Sequence, residues 1–276
     1  MPRRPVFPRI SIALGFEETG SLLRHACEEA DCGGRFLEFR LDYLRDPWQG
    51  VETIRSFREQ YPECMILATC RRHQNGGKFD GSAADQIRLL EAAAQAGSDA
   101  VDVEIETAEF APASLEKLRL VSTLIISYHN FSGTPAMEPV VRRMFRIPAA
   151  AYKIVTTARK PSDNHRVLSL ARAHYRVPLI VLAMGESGFP SRVIAPIYGG
   201  LYTYAAPASA LGTAAGQVAA QTLRNLYRVE RLSRGTKIYG VIADPVEHSL
   251  SPAVHNRAFQ SQHIDAVYLP FLGPAQ

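Results

Sequence analysis

Two residues in apolar runs could perform covalent and proton-transfer chemistry. Lys153 lies within the run YKIVTT, and His129 ends the run TLIISYH. A lysine amine that is held among other cations and away from water loses affinity for its proton. The free amine can attack a ketone and form an imine, which acts as an electron sink when the neighbouring carbon loses a proton. Histidine has a suitable pKa to carry that proton near neutral pH.

Three arginines extend this candidate site. Arg40, Arg71 and Arg192 end or follow short apolar segments, and we interpret them as the cations around the lysine. A guanidinium also holds a carboxylate through a planar pair of donors. The sequence shows no Cys/His set at metal-ligand spacing, no phosphate loop and no complete dinucleotide motif. The residues alone therefore predict a Schiff-base lyase or aldolase for a small keto acid, with no metal site.

Charged residues also alternate with apolar ones in the strand-like runs. In RFLEFRLDYL, Glu38, Arg40 and Asp42 would share one face of a strand, because successive side chains point to opposite faces. The other polar members of this set are Thr69, Arg71, Asp102, Glu104 and Ser127. Burying single charges is very costly, but pairs of opposite sign reduce the cost. We therefore expect these side chains to converge on one site.

The elements that would position these residues form a regular series. Eight apolar runs alternate with amphipathic stretches between residues 10 and 232, and the last stretch predicts a long helix over 214–232. The series predicts an α/β fold, a (β/α)8 TIM barrel over 1–232, whose active site would lie at the C-terminal ends of the strands. An open doubly wound sheet is the alternative, but no G-x-G-x-x-G follows the first strand. Residues 237–276 predict a partial βαβ segment of a second α/β domain.

Composition excludes several classes of protein. The net charge is +4 without blocks of Lys or Arg, which argues against nucleic-acid binding. No run approaches the roughly 20 apolar residues of a membrane helix, and the first residues lack the apolar core of an export signal. The four cysteines form no CxxC pair and are expected to be reduced thiols. We therefore expect a cytoplasmic protein that acts on a small molecule.

Seven short blocks, in order, resemble type I 3-dehydroquinate dehydratase. They are EFRLD (38–42), TCR with NGG (69–77), DVE (102–104), SYHNF (127–131), YKIVTTA (152–158), MGESGFPSR (184–192) and GTAAGQ (212–217). The resemblance extends from about residue 9 to residue 232. It implies loss of water from 3-dehydroquinate to give 3-dehydroshikimate, in the shikimate pathway of aromatic amino acid biosynthesis and without a cofactor.

The resemblance implies roles for the residues that bind and transform the substrate. Lys153 would form the imine with the C3 ketone, and His129 would take the C2 proton and return one to the departing hydroxyl. Arg192, in the loop after the seventh strand, would pair with the substrate carboxylate. Thr213 and Gln217, at the start of the final helix, would help it.

Five further residues receive supporting roles from the same resemblance. Glu38, Arg40 and Arg71 would bind the hydroxyl groups of the substrate ring, and Asp42 and Asp102 would support these side chains from behind.

Three positions depart from the family pattern, and one of them is Ala215, which replaces the usual Pro. Asn75 stands where the family often has Glu, just before the double glycine, and Thr213 stands in place of the usual Ser. A neutral amide can orient the imidazole of His129 but cannot stabilise its cation. We therefore expect Asn75 to support His129 and the pKa of His129 to be lower than in relatives.

The segment YGVIADPVEHSLSPAVHNRAF (239–259) resembles the start of shikimate dehydrogenase. Ser249 and Ser251 match that family's S-x-S segment, which binds shikimate, whereas its catalytic residues and NADP-binding domain have no counterpart before residue 276. Consecutive enzymes of this pathway are fused in some organisms, so we expect the dehydratase half of such a fusion. Dehydrogenase activity is not expected, and NADP would be needed only by the missing domain.

Three hypotheses remain open at this point. The first is an active dehydratase whose segment 237–276 is catalytically inert. The second is an assembly subunit that recruits a separate dehydrogenase or forms a homodimer. The third is another class I Schiff-base lyase on the same barrel.

Overall fold

Eight parallel strands dominate the computed structural model, which describes residues 6–173, 177–210, 212–246 and 248–273. The strands are β1 (Ile10–Leu14), β2 (Phe36–Arg40), β3 (Met65–Thr69), β4 (Ala100–Glu104), β5 (Thr123–His129), β6 (Ala151–Thr157), β7 (Leu179–Met184) and β8 (Thr203–Ala205). Their hydrogen-bonded order is β8, β1 and then β2 to β7. The Leu201 N–H donates to the Leu179 carbonyl at 2.8 Å and links the two outer strands. The sheet is thus a nearly closed barrel, which confirms the predicted (β/α)8 fold.

Helices cover the outside of the barrel between successive strands. They are α1 (Thr19–Asp31), α2 (Gln49–Gln60), α3 (Ala83–Gln95), α4 (Ile105–Phe110), α5 (Pro112–Val121), α6 (Glu138–Met144), α7 (Ser162–Ala173) and α8 (Phe189–Ile194). Local sequence explains where some begin: Ser82 and Asp85 form a reciprocal capping box before α3, and Pro112 starts α5. Among the described residues, no helix is both long and apolar enough to span a bilayer.

Alternation along each strand separates an outer core from the barrel interior. On β2, Leu37 and Phe39 point outward and are fully buried, and the Phe39 ring lies 5.3 Å from the Phe57 ring of α2. The inward residues of β2 change character along the strand, from Phe36 at its start to Glu38 and Arg40 at its end. The barrel interior is therefore apolar at one end and charged at the other, where the C-terminal strand ends meet.

Strand register aligns the polar residues of the interior. Thr69 of β3 lies opposite Asp102 of β4, and Ser127 of β5 lies opposite Lys153 of β6. His129 is two residues further along β5 and therefore points to the same side as Ser127. The register thus brings the lysine and the histidine to the same end of the barrel.

The predicted long helix over 214–232 is wrong. Gly216 adopts φ +77° in a turn, and a Cβ there would lie 2.6 Å from the Gly185 carbonyl oxygen, so this residue belongs to a tightly packed loop. Helical structure begins at Ala220 and continues as a π-helix over Thr222–Leu226. Arg228, with φ 51°, then interrupts it. Thr213 and Gln217 consequently lie in a loop before the helix and not at its start.

Two other predicted positions also differ. Strand β2 ends at Arg40, and Asp42 lies in a 3-10 turn over Leu41–Tyr43. Arg71 follows β3 by two residues and is not in the strand. Both residues nevertheless remain buried.

The C-terminal segment forms a βαβ unit that packs against the barrel. Strand β9 (Lys237–Ala243) pairs in parallel with β10 (Ala266–Leu272), and α9 (Ser251–Ser261) connects them. Val267 and Leu269 of β10 are buried within the main apolar cluster, and Gln260 of α9 donates to the Asn225 and Leu226 carbonyls at 3.0 and 3.1 Å. Most of β9 is exposed. This unit therefore depends on the barrel for much of its burial.

A peptide of residues 237–276 is expected to be unfolded on its own, because about 40 residues bury too little apolar surface and β10 packs on the barrel. Circular dichroism should show neither the helix nor strand signal, and amide hydrogens should exchange without protection. The full chain serves as the control. Protected amides in the isolated peptide would contradict this prediction.

Candidate active site

A cavity opens at the C-terminal ends of the strands. Eight of the residues predicted from sequence line it: Glu38, Arg40, Arg71, His129, Lys153, Arg192, Thr213 and Gln217. Asp42 and Asp102 are buried behind this lining, whereas Ser249 and Ser251 lie on the C-terminal unit. The structure therefore brings together residues that are up to 179 positions apart in the chain, from Glu38 to Gln217.

Lys153 contacts carboxylates and not the cations that we expected. Its Nζ donates to Asp102 Oδ2 at 2.9 Å and lies 3.6 Å from Glu38 Oε1. Glu38 in turn accepts a hydrogen bond from the Thr69 hydroxyl at 2.8 Å. The prediction that neighbouring cations make Lys153 reactive is therefore wrong, because its nearest charged neighbours are carboxylates. These carboxylates instead supply an acceptor for the proton that the amine must lose before it attacks a carbonyl.

Asp102 connects three of the predicted residues. Besides Lys153, it accepts a hydrogen bond from the Ser127 hydroxyl at 2.5 Å and lies 3.6 Å from Arg71 Nη2. Burial opposes its ionisation, but the charges of Lys153 and Arg71 hold the pKa of this carboxyl below its ordinary value. Asp102 is therefore an anion beneath the cavity while Lys153 carries its proton.

Arg40 is held by Asp42 in a bidentate ion pair. The Nε–Oδ1 and Nη2–Oδ2 distances are 2.9 and 2.7 Å, and both side chains are almost completely buried. Although burial disfavours the cation, the pair raises the pKa of Arg40. Asp42 also accepts from the Lys78 N–H at 3.2 Å, which ties the loop after β3 to this pair. Asp42 thus contacts Arg40 from the 3-10 turn, although the sequence analysis placed Asp42 on the strand.

His129 lies among cations and is neutral at ordinary pH. Burial, followed by the charges of Arg71, Lys153 and Arg40, lowers the pKa of its imidazole well below the ordinary value. Nδ1 is inaccessible to solvent and has no hydrogen-bond partner within the described residues. A neutral imidazole is suited to accept a proton from a substrate.

Asn75 does not support His129 in the structure. Its amide donates to Glu106 Oε2 at 3.4 Å, on the outer side of the loop. The imidazole instead lies nearly parallel to the Phe131 ring, with the two ring centres 6.1 Å apart. The expected contact is therefore absent, and the low pKa of His129 comes from burial and cations.

The loop that carries Arg71 rests on a buried polar network that sequence reasoning did not assign. Glu104 accepts from the Arg72 N–H at 2.9 Å and from the side chain of Gln86, which also donates to the Cys70 carbonyl at 2.7 Å. Burial raises the pKa of Glu104. Gln86 is fully buried on α3. The sequence indicates its role only through the presence of a lone amide on an otherwise apolar helix face.

Arg192 is a buried cation without an acidic partner among the residues that the structure describes. It lies in α8 and not in a loop as predicted, is 1% exposed, and donates from Nη2 to the Ala215 carbonyl at 2.9 Å. Burial lowers its pKa to about 10. Its Nε has no partner in the described part of the chain. A buried guanidinium that has unpaired donors and lies beside a cavity is well suited to bind an anion.

Thr213 and Gln217 lie beside Arg192 on the same cavity. The two side chains face each other at 3.5 Å, and Gln217 Oε1 accepts from the Ala214 N–H at 3.2 Å. Their side chains are therefore available as polar neighbours of a bound anion, although no helix begins there.

Several cavity residues were missed by sequence reasoning. Among them are Tyr204, Phe131, Val155, Leu182 and Met184. Tyr204 could have been found from strand alternation, because it lies on the short strand β8 two places after Tyr202, which immediately precedes that strand. The remaining four are apolar, and nothing in their type distinguishes them from core residues.

Ser249 lines a second groove, between the barrel and the C-terminal unit. Gln217 lines this groove as well as the first cavity. The Ser251 N–H donates to the Ser249 hydroxyl at 3.3 Å. Across the described residues, no group of three or more His, Cys, Asp or Glu side chains is arranged to hold a metal ion.

Comparison with known families gives two matches. The family described as type I 3-dehydroquinase matches residues 10–234, and the shikimate dehydrogenase substrate binding domain matches residues 241–276. Among solved structures, the 3-dehydroquinate dehydratase of Geobacillus kaustophilus is 28% identical, with a TM-score of 0.73 over 81% of this chain and 91% of that one.

Two curated relatives are each 34% identical. The 3-dehydroquinate dehydratase of Dehalococcoides mccartyi aligns with 71% of this chain and 86% of its own length. The chloroplastic bifunctional 3-dehydroquinate dehydratase/shikimate dehydrogenase of Arabidopsis thaliana aligns with 88% of this chain. The present chain spans 40% of that bifunctional relative's length.

The low pKa of His129 should appear in the pH dependence of stability. The folded chain binds fewer protons at this site than the unfolded chain, in which the pKa is about 6.5. The resulting stability is therefore complete above pH 6.5 and is lost as pH falls below it. Thermal unfolding between pH 7.5 and pH 5 should show a steeper loss for wild type than for His129→Gln. Equal slopes, or an NMR titration with the imidazole charged at pH 6.5, would contradict this.

Proposed function

The chain belongs to the type I 3-dehydroquinase family and is a lyase of the shikimate pathway, and we propose that it dehydrates 3-dehydroquinate through an imine on Lys153. The observation that carries this proposal is the placement of Lys153, His129 and Arg192 around one cavity inside the barrel. These are a nucleophile, a base and an anion-binding group, and they suffice for the reaction.

The first proposed step forms the covalent bond. The neutral amine of Lys153 attacks the C3 carbonyl carbon, and the resulting carbinolamine takes up a proton from Asp102 at its hydroxyl and loses water to leave a C=N⁺ bond. Asp102, which lies 2.9 Å from Nζ, accepts the proton that the ammonium must release first. The iminium then withdraws electrons from C2 and makes its hydrogen acidic.

The second proposed step eliminates water. His129 removes the C2 proton, and the electron pair passes into the C=N⁺ bond to give an enamine. The enamine expels the hydroxyl on the adjacent carbon as His129 returns the proton to it, so one water leaves. A second water hydrolyses the product iminium and releases 3-dehydroshikimate and the protonated amine. The low pKa of His129 keeps it in the basic form that the first of these transfers requires.

Arg192 would orient the substrate by its carboxylate. Its free Nε and its position beside Thr213 and Gln217 support this role. At the other side of the cavity, Glu38, Arg40 and Arg71 would bind the ring hydroxyls. Nε and Nη2 of Arg71 make no hydrogen bond within the described residues.

We propose a separate role for the C-terminal unit. Residues 241–276 match only the substrate-binding domain of shikimate dehydrogenase, so we assign no NADP-dependent activity to them. Ser249 and Ser251 would contribute to a shikimate site that an associated dehydrogenase completes. We further propose a cytoplasmic location, with a homodimer or association with that dehydrogenase as the assembly.

Borohydride trapping tests the imine directly. Wild-type chain incubated with 3-dehydroquinate and borohydride should gain a stable adduct, located on Lys153 by mass spectrometry of peptides. Lys153→Arg keeps a cation against Asp102 and so preserves folding, but a guanidinium forms no imine; turnover and adduct should both vanish. His129→Ala should still be trapped, with turnover about 10²–10⁴-fold slower.

Two results would refute the assignment. A folded wild-type chain that turns over 3-dehydroquinate without any adduct would exclude the imine mechanism. A chain that is trapped by other keto acids but not by 3-dehydroquinate would instead indicate a different class I lyase.

Arg192→Gln should impair substrate binding more than the chemical step. Loss of a buried charge pair costs about 2–5 kcal/mol, so kcat/KM should fall by about thirtyfold or more, mainly through KM. Steady-state assays of the conjugated enone product measure this. The matched control is Arg166→Gln on α7, an arginine outside the cavity lining that donates to the Thr134 carbonyl at 3.1 Å. An unchanged KM in a folded Arg192→Gln protein would overturn the role.

A further inference from the structure

One aromatic ring faces the reactive nitrogen of Lys153. The Tyr204 ring centre lies 4.3 Å from Nζ, and Tyr204 is 4% exposed. Asp102 Oδ2 at 2.9 Å and Glu38 Oε1 at 3.6 Å are the carboxylate neighbours of the same nitrogen. The amine is therefore confined by two anions and by the electron-rich face of a ring, which attracts a cation.

Tyr204 is fixed by other aromatic residues inside the barrel. Its hydroxyl lies 3.2 Å from the hydroxyl of Tyr202, and the Tyr202 ring meets the Phe36 ring edge-on at 5.0 Å. Phe7 packs against both Tyr202 and Phe36, at 5.4 and 5.8 Å. These four residues form a column, which we call the aromatic column, from the apolar end of the barrel up to Lys153.

The Tyr204 hydroxyl does not act as an acid or a base in this arrangement. Burial raises the pKa of Tyr204 and of Tyr202 well above the ordinary value, so both phenols are neutral. The hydroxyl of Tyr204 points to Tyr202, whereas the ring faces Nζ. Any effect of Tyr204 on the lysine must therefore come from the ring.

We propose that Tyr204 is a positioning residue whose ring holds the Lys153 nitrogen in place and stabilises the positive charge that it carries as an iminium. The inference rests on the proposed function, because the iminium is the intermediate of that mechanism. The ring lies beneath the nitrogen, on the aromatic column, so the open side of Nζ faces the cavity. Substrate then reaches the amine from the mouth of the barrel.

Substitutions that keep or remove the ring test this proposal. Tyr204→Phe keeps the ring and loses only the hydroxyl, so kcat and KM should stay within about twofold of wild type. Tyr204→Leu removes the ring; kcat should fall on the order of tenfold, the scale of one desolvated cation–π contact, with KM nearly unchanged. The fraction of Lys153 trapped by borohydride in the presence of 3-dehydroshikimate should fall with kcat.

A matched control separates this effect from a loss of packing. Phe36→Leu removes a ring from the same aromatic column without touching Nζ, so it should lower the melting temperature while kcat falls much less than in Tyr204→Leu. If Tyr204→Leu does not fold, pentafluorophenylalanine at position 204 replaces it. Fluorination reverses the charge distribution of the ring at nearly constant shape, and kcat should fall relative to Tyr204→Phe.

The proposal is overturned if folded Tyr204→Leu keeps kcat within twofold of wild type, if Tyr204→Phe is as slow as Tyr204→Leu, or if the fluorinated ring has no effect. An absent adduct in wild type would refute the imine mechanism itself, which is a separate result.

Discussion

Charges of both signs are enclosed in the barrel, and the structure depends on how they are compensated. Asp102 compensates Lys153, and Asp42 compensates Arg40, each at hydrogen-bond distance. Such pairs offset the cost of taking ions out of water. Arg192 has only a backbone carbonyl as its partner within the described part of the chain. The interior therefore keeps an excess of positive charge at the cavity, which an anionic substrate would neutralise.

Much of this arrangement could be predicted from sequence because strands alternate. Charged residues at every second place in an apolar run, such as Glu38 and Arg40, imply an enclosed polar interior when both faces of the sheet are covered. Parallel strands then bring their C-terminal ends together, so His129 and Lys153 could be placed on one site without knowing any distance. The same patterns also predicted which segments form strands and which form helices.

The contacts between these residues could not be predicted in the same way. Which carboxylate faces Lys153 depends on register between β4 and β6, two strands separated by β5, and no local pattern encodes it. The helix expected over 214–232 has a helical composition, but Gly216 takes a backbone conformation that serves close packing against Gly185. Asn75 was assigned by its place beside the double glycine, whereas its amide turned to Glu106 on the surface. Tertiary packing decided each case.

The register that places Ser127 of β5 opposite Lys153 of β6 also limits which insertions and deletions the chain can tolerate. Loss of one codon before Lys153 within β6 would move every later side chain of that strand to the opposite face, and Ile154 would take the lysine's place in the barrel interior. Because the strand is rich in Val, Ile and Thr, the sheet would still pack after that exchange, but the site would lose its reactive lysine. Insertions and deletions among related chains should therefore be confined to the connections between strands, even where single amino acids vary.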